Sequence, residues 1–396
     1  MNEKQQNKMI PKLRFPEFKD SGEWEVKPFD LIFDRMPSKK HQINSKEYLI
    51  EGKYPVIDQG KQKIIAYSND DSKVLKNKSI IIFGDHTRVF KYINFNFIVG
   101  ADGTQLIKTK ENYDNKFFYY QLLTKKIPNT GYNRHFKFLK EKLFQIPRIY
   151  KEQQKIAAFL SNLDELIEAH KQKLELLKKH KKGLMQNLFP QEGEKVPKLR
   201  FPEFKDSGEW EEKQLGEIGE PLMCKRIFKE QTTTNSNNSV PFYKIGTFGK
   251  EADSFISIDL YNEYKAKYNF PNKGDILISA SGTIGRLVVY DGSPAYFQDS
   301  NIVWLENDEK VILNRFLFYC YSILDWQTSD GGVIKRLYNS DLKNIRIIFP
   351  KSKPEQQKIA SSLSSLDELI TAKAEKIEQL EKHKKGLMQG LFPKVS

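Results

Sequence analysis

Two stretches of the chain carry apolar residues at alternating spacings of four and three. They occupy Glu152–Pro190 and Glu355–Pro393. This spacing keeps one apolar stripe facing a partner helix, so it predicts two long helices that pair as a coiled coil. The stripe of the first helix consists of Ile156, Leu160, Leu163, Ile167, Leu174, Leu177, Leu184 and Leu188, and that of the second consists of Ile359, Leu363, Leu366, Ile370, Ile377, Leu380, Leu387 and Leu391.

Polar residues interrupt both stripes at the same two places. His170 corresponds to Lys373, and Lys181 corresponds to Lys384. Because both stripes break in the same register, we expect the two helices to pair with each other. Two like elements that pack through the same surface are related by an approximate two-fold axis, and an axis perpendicular to the helices makes them antiparallel.

The helices belong to an internal repeat that frames two dissimilar interiors. Pro11–Lys27 and Pro197–Lys213 differ only at Val26 and Glu212, and the two helical blocks are identical at 28 of 39 positions. The interiors, residues 28–151 and 214–354, align only in short stretches. A duplicated frame around unlike interiors suits a protein that docks one kind of partner twice and contacts two unlike targets.

Each interior mixes short β-rich runs with helical stretches. The pattern predicts strands at residues 63–67, 79–83, 276–279 and 287–290, and helices at 115–123 and 314–324. We therefore predict an α+β fold class, with two α+β domains separated by a pair of long antiparallel coiled-coil helices and an internal pseudo-two-fold repeat. The predicted segments are an N-terminal arm 1–27, a first domain 28–151, a central helix 152–190, a linker and second arm 191–213, a second domain 214–354 and a C-terminal helix 355–396.

A strong positive charge indicates a polyanionic partner. The chain has 65 Lys and Arg against 51 Asp and Glu, a net charge of +14. DNA presents a dense line of phosphates whose counterions a basic surface releases on binding, so double-stranded DNA is the expected partner. Residues 28–150 hold 22 basic against 12 acidic residues, whereas residues 214–350 hold 15 against 16. The second domain must therefore concentrate its positive groups locally.

Other classes of protein fit poorly. Cys224 and Cys320 lack the spacing of a disulfide framework or a zinc site. No apolar run approaches the roughly 18 to 20 residues of a membrane helix, and the N-terminus is polar, so we expect a cytoplasmic protein without a membrane partner.

Catalytic motifs are missing from the sequence. It contains no Asn/Asp-Pro-Pro-Tyr/Phe methyltransferase motif and no Gly-x-x-x-x-Gly-Lys-Ser/Thr phosphate loop. Glu51–Lys53 has the Glu-x-Lys form of a nuclease site but no paired carboxylate context. Ser281–Gly285 is either a phosphate cradle or a plain glycine turn. We therefore predict no catalytic residue, no metal ligand and no cofactor bound by this chain.

The order of these motifs resembles the specificity subunit of type I restriction-modification systems. The resemblance rests on PKLRFPEF with GEWE and on an EQQKIA block that leads into a long helix, each present twice. Tyr54–Asp70, Val240–Gly246 and Lys273–Arg286 resemble parts of the family's target-recognition domains. The resemblance covers essentially the whole chain.

The resemblance implies a set of partners and a division of labour. The chain would dock two modification (methyltransferase) subunits that bind S-adenosylmethionine, and restriction (endonuclease/translocase) subunits that use ATP and Mg and cut DNA. It would itself be noncatalytic. Family members read a bipartite, gapped target with one recognition domain for each element, and the methylated base is adenine.

Polar loops of both domains supply candidates for DNA binding, because Arg, Lys, Asn and Gln can make paired bonds to base edges while Ser and Thr hold phosphates. The candidates in the first domain are Gln59, Lys61, Gln62, Lys63, His86, Thr87, Arg88, Asn133, Arg134 and His135. Those in the second domain are Lys225, Arg226, Thr232, Thr233, Thr234, Asn235, Arg286, Gln298, Asn301, Lys335 and Arg336.

Two alternative functions remain open on the sequence. The chain could be a stand-alone transcription regulator whose tandem domains read an operator, and such a protein needs no methyltransferase partner. It could also be an enzyme that acts alone, which the missing motifs disfavour.

Overall fold

A computed structural model describes residues 9–76, 79–100, 102–131, 133–326 and 336–393. The chain divides into two compact units. Unit 1 comprises Met1–Lys173 and Lys373–Ser396, and unit 2 comprises Leu174–Ala372. Each unit therefore contains one arm, one α+β domain and a part of each long helix.

The described residues form eight α-helices and eighteen strands. The helices are α1 Phe29–Ile32, α2 Asn115–Thr124, α3 Phe136–Lys140, α4 Tyr150–Leu188, α5 Ile258–Lys267, α6 Asn314–Ile323, α7 Asn339–Asn344 and α8 Lys353–Leu391. The strands are β1 Glu25–Pro28, β2 Phe33–Met36, β3 Tyr54–Ile57, β4 Ala66–Ser68, β5 Ile80–Gly84, β6 Phe90–Ile93, β7 Ile98–Val99, β8 Thr104–Thr109, β9 Leu143–Ile146, β10 Glu211–Gln214, β11 Glu220–Leu222, β12 Ser239–Tyr243, β13 Phe255–Ser257, β14 Ile276–Ser279, β15 Leu287–Val289, β16 Tyr296–Phe297, β17 Ile302–Glu306 and β18 Arg346–Phe349. None of the described helices is long and apolar enough to span a bilayer.

Unit 1 contains three sheets. Four antiparallel strands are ordered β2-β8-β5-β6, and three more are ordered β4-β3-β7, with β3 parallel to β7. The arm joins the domain through the antiparallel pair β1-β9. β5 is buried along its whole length, as expected of a central strand covered on both faces.

Unit 2 repeats this topology strand for strand. Its sheets are β11-β17-β14-β15, β13-β12-β16 and β10-β18, and β12 is parallel to β16. The two interiors therefore share one α+β fold although their sequences align only in short stretches. Different side chains satisfy the same pattern of buried strands.

A triad of aromatic rings forms the same packing core in both units. Trp24 of the first arm lies 5.8 Å from Phe117 and 6.5 Å from Phe392, measured between ring centroids. In unit 2, Trp210 lies 5.8 Å from Phe316 and 6.0 Å from Phe189. The Leu-Phe-Pro segment at the end of each long helix thus supplies a phenylalanine that packs against the tryptophan of one arm and a phenylalanine of one domain.

A buried ion pair joins each arm to the start of a long helix. Arg14 donates to both carboxylate oxygens of Glu152 at 2.8 Å, and the side chains are 6% and 0% exposed. Arg200 binds Glu355 in the same bidentate way, at 2.7 and 2.8 Å. Bidentate pairs of this kind are the strong class of charged hydrogen bond.

The glutamine that follows each glutamate binds the domain instead of the arm. The side-chain oxygen of Gln153 accepts from the backbone nitrogen of Asp114 at 3.0 Å, and that of Gln356 accepts from the nitrogen of Leu313 at 2.8 Å. Two neighbouring residues of the EQQKIA block therefore fasten the helix to two different partners. This double contact explains why the block recurs with each domain.

Within unit 1 the segments of α4 and α8 run antiparallel. Asp164 binds Lys384 and His170 contacts Lys373, so residue numbers fall along α8 as they rise along α4. The other oxygen of Asp164 accepts from the Tyr120 hydroxyl at 2.8 Å. Burial and the neighbouring carboxylate raise the pKa of Tyr120, which keeps this hydroxyl protonated as a donor.

Unit 2 contains the reciprocal contact. Lys181 binds Asp367 at 2.5 Å, and Asp367 also accepts from the Tyr319 hydroxyl at 2.9 Å. Leu188 packs in one core with Ile359, so the segments are antiparallel here as well. Lys181 and Lys384 are therefore ion-pair partners of aspartates on the opposite helix. Lys373, which also interrupts a stripe, contacts His170 instead.

The burial of the helices follows the predicted stripes. All sixteen apolar stripe residues are buried or half-buried. Leucines off the stripes are exposed, with Leu166 at 46%, Leu176 at 65% and Leu369 at 54%. The spacing of four and three therefore identified the packed faces correctly.

Two local predictions need correction. The strand predicted at residues 63–67 begins only at Ala66, because Lys61–Ile65 form the exposed loop of the β3-β4 hairpin. Both long helices start two residues earlier than their repeated blocks, at Tyr150 and Lys353. The helix and strand predictions at 115–123, 276–279 and 314–324 agree with α2, β14 and α6 to within one residue.

We expect Glu152→Gln to lower the free energy of unfolding by about 3 kcal/mol or more, because the buried Arg14 loses its counter-charge. Urea unfolding of the full chain measures this loss. The matched control is Glu17→Gln, which removes the exposed pair between Glu17 and Lys155 and should leave the free energy of unfolding close to that of the wild type. Equal losses in the two variants would contradict the assigned role of the buried pair.

Candidate nucleic-acid interface

Four loops of unit 1 meet at one end of its sheets. We name them loop cluster 1, formed by residues 58–63, 85–88, 100–103 and 127–135, of which 101 and 132 lie outside the described residues. Backbone hydrogen bonds connect them: Gly100 donates to Ile57 at 2.8 Å, Asp85 to Gly103 at 2.7 Å, and His135 to Asp85 at 2.9 Å. Most of the candidates predicted in the first domain therefore lie together.

Gln59 connects three of these loops. Its amide nitrogen donates to the Asp102 carbonyl at 2.9 Å, and its amide oxygen accepts from the His86 nitrogen at 3.0 Å. A Cβ atom built on Gly103 would come within 2.7 Å of the Gln59 amide. With one hydrogen bond at each end of its amide, Gln59 is a positioning residue that holds the loops in this conformation.

His135 also has an internal role, which corrects its prediction as a surface group. Its ring is fully buried, with Nδ1 2.8 Å from the Asp85 carbonyl and Nε2 3.3 Å from Thr130. A buried ring of this kind cannot reach a base edge. It holds the segment 127–135 against the turn after β5.

Lys91 is a positioning residue that sequence reasoning missed. Its ammonium group, 6% exposed, donates to the Asp58 carbonyl at 2.7 Å and lies 3.4 Å from the Asp58 carboxylate. Burial lowers the pKa of Lys91, while Asp58 opposes that shift. The only signal in the sequence was a lysine inside the apolar run of β6.

The remaining candidates of loop cluster 1 reach the surface. Lys61, Gln62, Lys63, Thr87, Asn133 and Arg134 are exposed, and His86 and Arg88 are half-buried. Lys63 lies 5.6 Å above the Phe95 ring, and the Thr87 hydroxyl donates to the Gln59 carbonyl. These side chains combine positive charge with amide groups suited to base edges and phosphates.

Unit 2 builds a matching loop cluster 2 at the same strand ends, from residues 244–250, 280–286 and 298–301 together with Arg336. Gln298 donates to the Tyr243 carbonyl at 2.9 Å, and Ala280 donates to that of Asn301 at 2.8 Å. Leu337 donates to the Ala280 carbonyl at 2.8 Å and brings Arg336 alongside. The strands that precede these loops are the counterparts of β3, β5 and β7.

Four predicted residues line loop cluster 2. The side chain of Arg286 donates to the Phe248 carbonyl at 2.9 Å, and that of Arg336 donates to the Ser300 carbonyl at 2.8 Å. The Gln298 amide oxygen accepts from the Ile245 nitrogen at 3.0 Å, and that of Asn301 accepts from the Ser281 hydroxyl at 2.7 Å. Lys335, also predicted, lies outside the described residues.

The other candidates of the second domain fall into two places. Arg226 is exposed and binds Asp299 at 2.9 Å, which puts it beside loop cluster 2, and Lys225 lies 5.1 Å above the Tyr268 ring. Thr232, Thr233, Thr234 and Asn235 instead follow the outer edge of β13, where Thr233 bridges Phe255. The structure therefore does not bring this polar run together with loop cluster 2.

Arginines of the loop clusters differ from those of the frame in their partners. Arg14 and Arg200 are neutralised by glutamates, whereas Arg88, Arg286 and Arg336 donate to main-chain carbonyls. None of the latter three forms an ion pair with a described residue. A guanidinium held by a neutral carbonyl keeps its full charge in a preset position, which suits an anionic partner.

Residues of the two segments considered as catalytic sites make internal contacts. Lys53 pairs with Asp71 at 2.7 Å, and the part of the chain that the structure describes contains no group of three His, Cys, Asp or Glu able to hold a metal ion. Ser281–Gly285 lies in the turn between β14 and β15, where the Ser279 hydroxyl donates to the Thr283 carbonyl at 2.6 Å and accepts from the Arg286 nitrogen at 2.8 Å.

Comparisons with known proteins agree on one family. A family model described as type I restriction modification DNA specificity domain matches residues 21–179 and again 207–382. The chain is 54% identical to a putative type I restriction enzyme specificity subunit of Haemophilus influenzae over 40% of each protein. It is 26% identical to the type I restriction enzyme MjaVIII specificity subunit of Methanocaldococcus jannaschii, over 96% of this chain and 93% of that protein.

The extent of these matches varies. The chain spans 40% of the Haemophilus influenzae relative and 56% of the MjaX specificity subunit, a second Methanocaldococcus jannaschii relative at 30% identity. The crystal structure of a type I restriction-modification S subunit from M. genitalium aligns with a TM-score of 0.68 at 20% identity, over 98% of this chain and all of that one. This last likeness concerns the fold.

We expect Gln59→Ala to lower the free energy of unfolding by about 1 to 3 kcal/mol, because it leaves partners in two other loops unsatisfied. Gln62→Ala, in the exposed part of the same loop, is the matched control and should change stability by less than about 0.5 kcal/mol. Urea unfolding of the full chain measures both. A stability loss in Gln62→Ala as large as that in Gln59→Ala would disprove this division of roles.

Proposed function

The chain belongs to the family of type I restriction-modification DNA specificity proteins, and we propose that it reads a bipartite, gapped DNA target with one loop cluster for each element. One observation carries this proposal. The same loops, on the same topology and between the same arm and helix contacts, occur twice with different side chains. A repeated frame that carries two loop clusters with different side chains suits the recognition of two unlike DNA sequences.

The frame offers a docking surface for two copies of one partner. Met185, Phe189 and Pro190 line a cavity of about 620 Å³ in unit 2. Their counterparts Met388, Phe392 and Pro393 line one of about 690 Å³ in unit 1. Cavities at corresponding helix ends, each lined by these apolar residues and by lysines, support the docking of two modification (methyltransferase) subunits, with restriction subunits joining the complex.

We assign the catalytic steps to the modification and restriction subunits. The sequence carries no methyltransferase or nucleotide-binding motif, and both loop clusters are built of hydrogen-bonded turns. We therefore propose a noncatalytic DNA-recognition subunit of the cytoplasm, with S-adenosylmethionine, ATP and Mg bound by the other subunits and adenine as the methylated base.

Replacing residues 28–150 by the corresponding domain of another family member should change one element of the target and leave the other unchanged. The donor should keep a tyrosine at the position of Tyr120, so that the contact with Asp164 survives. The measurement maps methylated adenines in cells that express the hybrid with the modification subunits. A target changed in both elements, or one without a gap, would refute the proposal.

The matched control for this swap is Val26→Glu. It converts the first arm to the sequence of the second, and Val26 is 40% exposed, so the methylated target should stay the same. Capture of the modification subunits by the full chain separates the proposal from a stand-alone transcription regulator, which would not retain them.

A further inference from the structure

Arg88 occupies a backbone position that favours glycine. Its φ angle is +61°, in the left-handed region that non-glycine residues rarely adopt. The turn between β5 and β6 is closed by two hydrogen bonds, from Arg88 to the Gly84 carbonyl at 2.7 Å and from Gly84 to the Val89 carbonyl at 2.8 Å. A long charged side chain therefore sits where it costs backbone free energy.

Unit 2 provides the counterpart with a glycine. Gly285 donates to the Ser279 carbonyl at 3.0 Å, Ser279 donates to that of Arg286 at 2.9 Å, and Gly285 has a φ of +79°. The turn between β14 and β15 is thus closed by two bonds of the same pattern, around six residues instead of the four in unit 1. The turn itself does not require a side chain at this position, so the fold alone does not explain Arg88.

The space above the turn is filled differently in the two units. A Cβ atom on Gly285 would come within 2.2 Å of the Trp326 ring, and Trp326 lies three residues beyond the end of α6. At the same distance beyond α2 lies Ile127, whose carbonyl accepts from Arg88 Nη1 at 3.5 Å. The segment after the domain helix therefore approaches this turn with an indole ring in unit 2, and with a main-chain carbonyl that contacts the Arg88 guanidinium in unit 1.

The guanidinium of Arg88 is poorly satisfied in the free protein. The contact with Ile127 is long, and the buried Nε atom has no hydrogen-bond partner among the described residues. Buried donors are normally paired, and strained residues cluster at sites of function. The buried Nε atom is out of reach of a ligand, but the backbone strain and the weakly bound Nη1 atom of the half-buried side chain are explained if a ligand completes the Nη donors.

We propose that Arg88 is a specificity-determining residue of loop cluster 1, whose guanidinium donates paired hydrogen bonds to a guanine in the DNA element read by unit 1. Arginine matches the two acceptors on the major-groove edge of guanine. A half-buried fork held at a fixed turn suits this directional contact, whereas the exposed Lys61 and Lys63 suit phosphates. The inference rests on the proposed function and names one reader within it.

Arg88→Lys tests the inference, since it keeps the charge and a long stem but removes the paired donors. The full chain, expressed with its modification subunits, is bound to a randomised duplex library, and the bound fraction is sequenced. Preference for guanine at one position should fall by about 10- to 100-fold, with every other position unchanged. Arg88→Gly should lose the same preference while unfolding at the same or a higher urea concentration, because it relieves the backbone strain.

The control is Asn112→Gly, which also replaces a left-handed non-glycine residue, with φ +72°, but lies between β8 and α2 at the end of β8 remote from the loop cluster. Its target should equal that of the wild type. Unchanged discrimination in Arg88→Lys would make Arg88 a packing residue, and an equal loss for all sequences would make it a phosphate contact; either result overturns the inference. A wild-type complex that enriches no sequence would refute the proposed function itself.

Discussion

The buried arginine–glutamate pair at the start of each long helix is the contact on which the rest of each unit depends. Glu152 and Glu355 are almost wholly enclosed, and a carboxylate in that position is tolerated only with a bidentate cation beside it. The pair ties the arm to the helix, and the next residue, Gln153 or Gln356, ties the helix to the domain. Three parts that are distant in sequence therefore converge at two adjacent side chains.

Reciprocal contacts then bind the domains to the helices. Asp164 accepts a hydrogen bond from the Tyr120 hydroxyl and pairs with the Lys384 ammonium group. Asp367 makes the same two contacts with Tyr319 and Lys181. Lys181 and Lys384, which each break one apolar stripe, are thus the partners of aspartates on the other helix. Polar interruptions cost stability in a stripe but specify register, and here they also hold a helix of each domain in place.

On this common frame the two loop clusters diverge. The loops of unit 1 are held together by hydrogen bonds of Gln59, Lys91 and His135. The surface of the cluster presents Lys61, Gln62 and Arg134. Arg88 with Ile127 in unit 1, and Gly285 with Trp326 in unit 2, show how turns closed by the same pattern of bonds present different groups, although the turn of unit 2 is two residues longer. The same frame can therefore carry different loop side chains while its arm and helix contacts stay the same.

The sequence by itself determined the frame, because its signals are local or repeated. Apolar residues at spacings of four and three define one face of a helix whatever surrounds it, and a segment that recurs with its partners intact makes the same contacts twice. Which loop residues face outward was decided only by the tertiary structure. The partners of Gln59 lie 27 and 43 residues away, and that of His135 lies 50 residues away. The shared topology of the two interiors was likewise hidden, because many combinations of apolar side chains bury the same strands, so the fold persists where the sequence pattern does not.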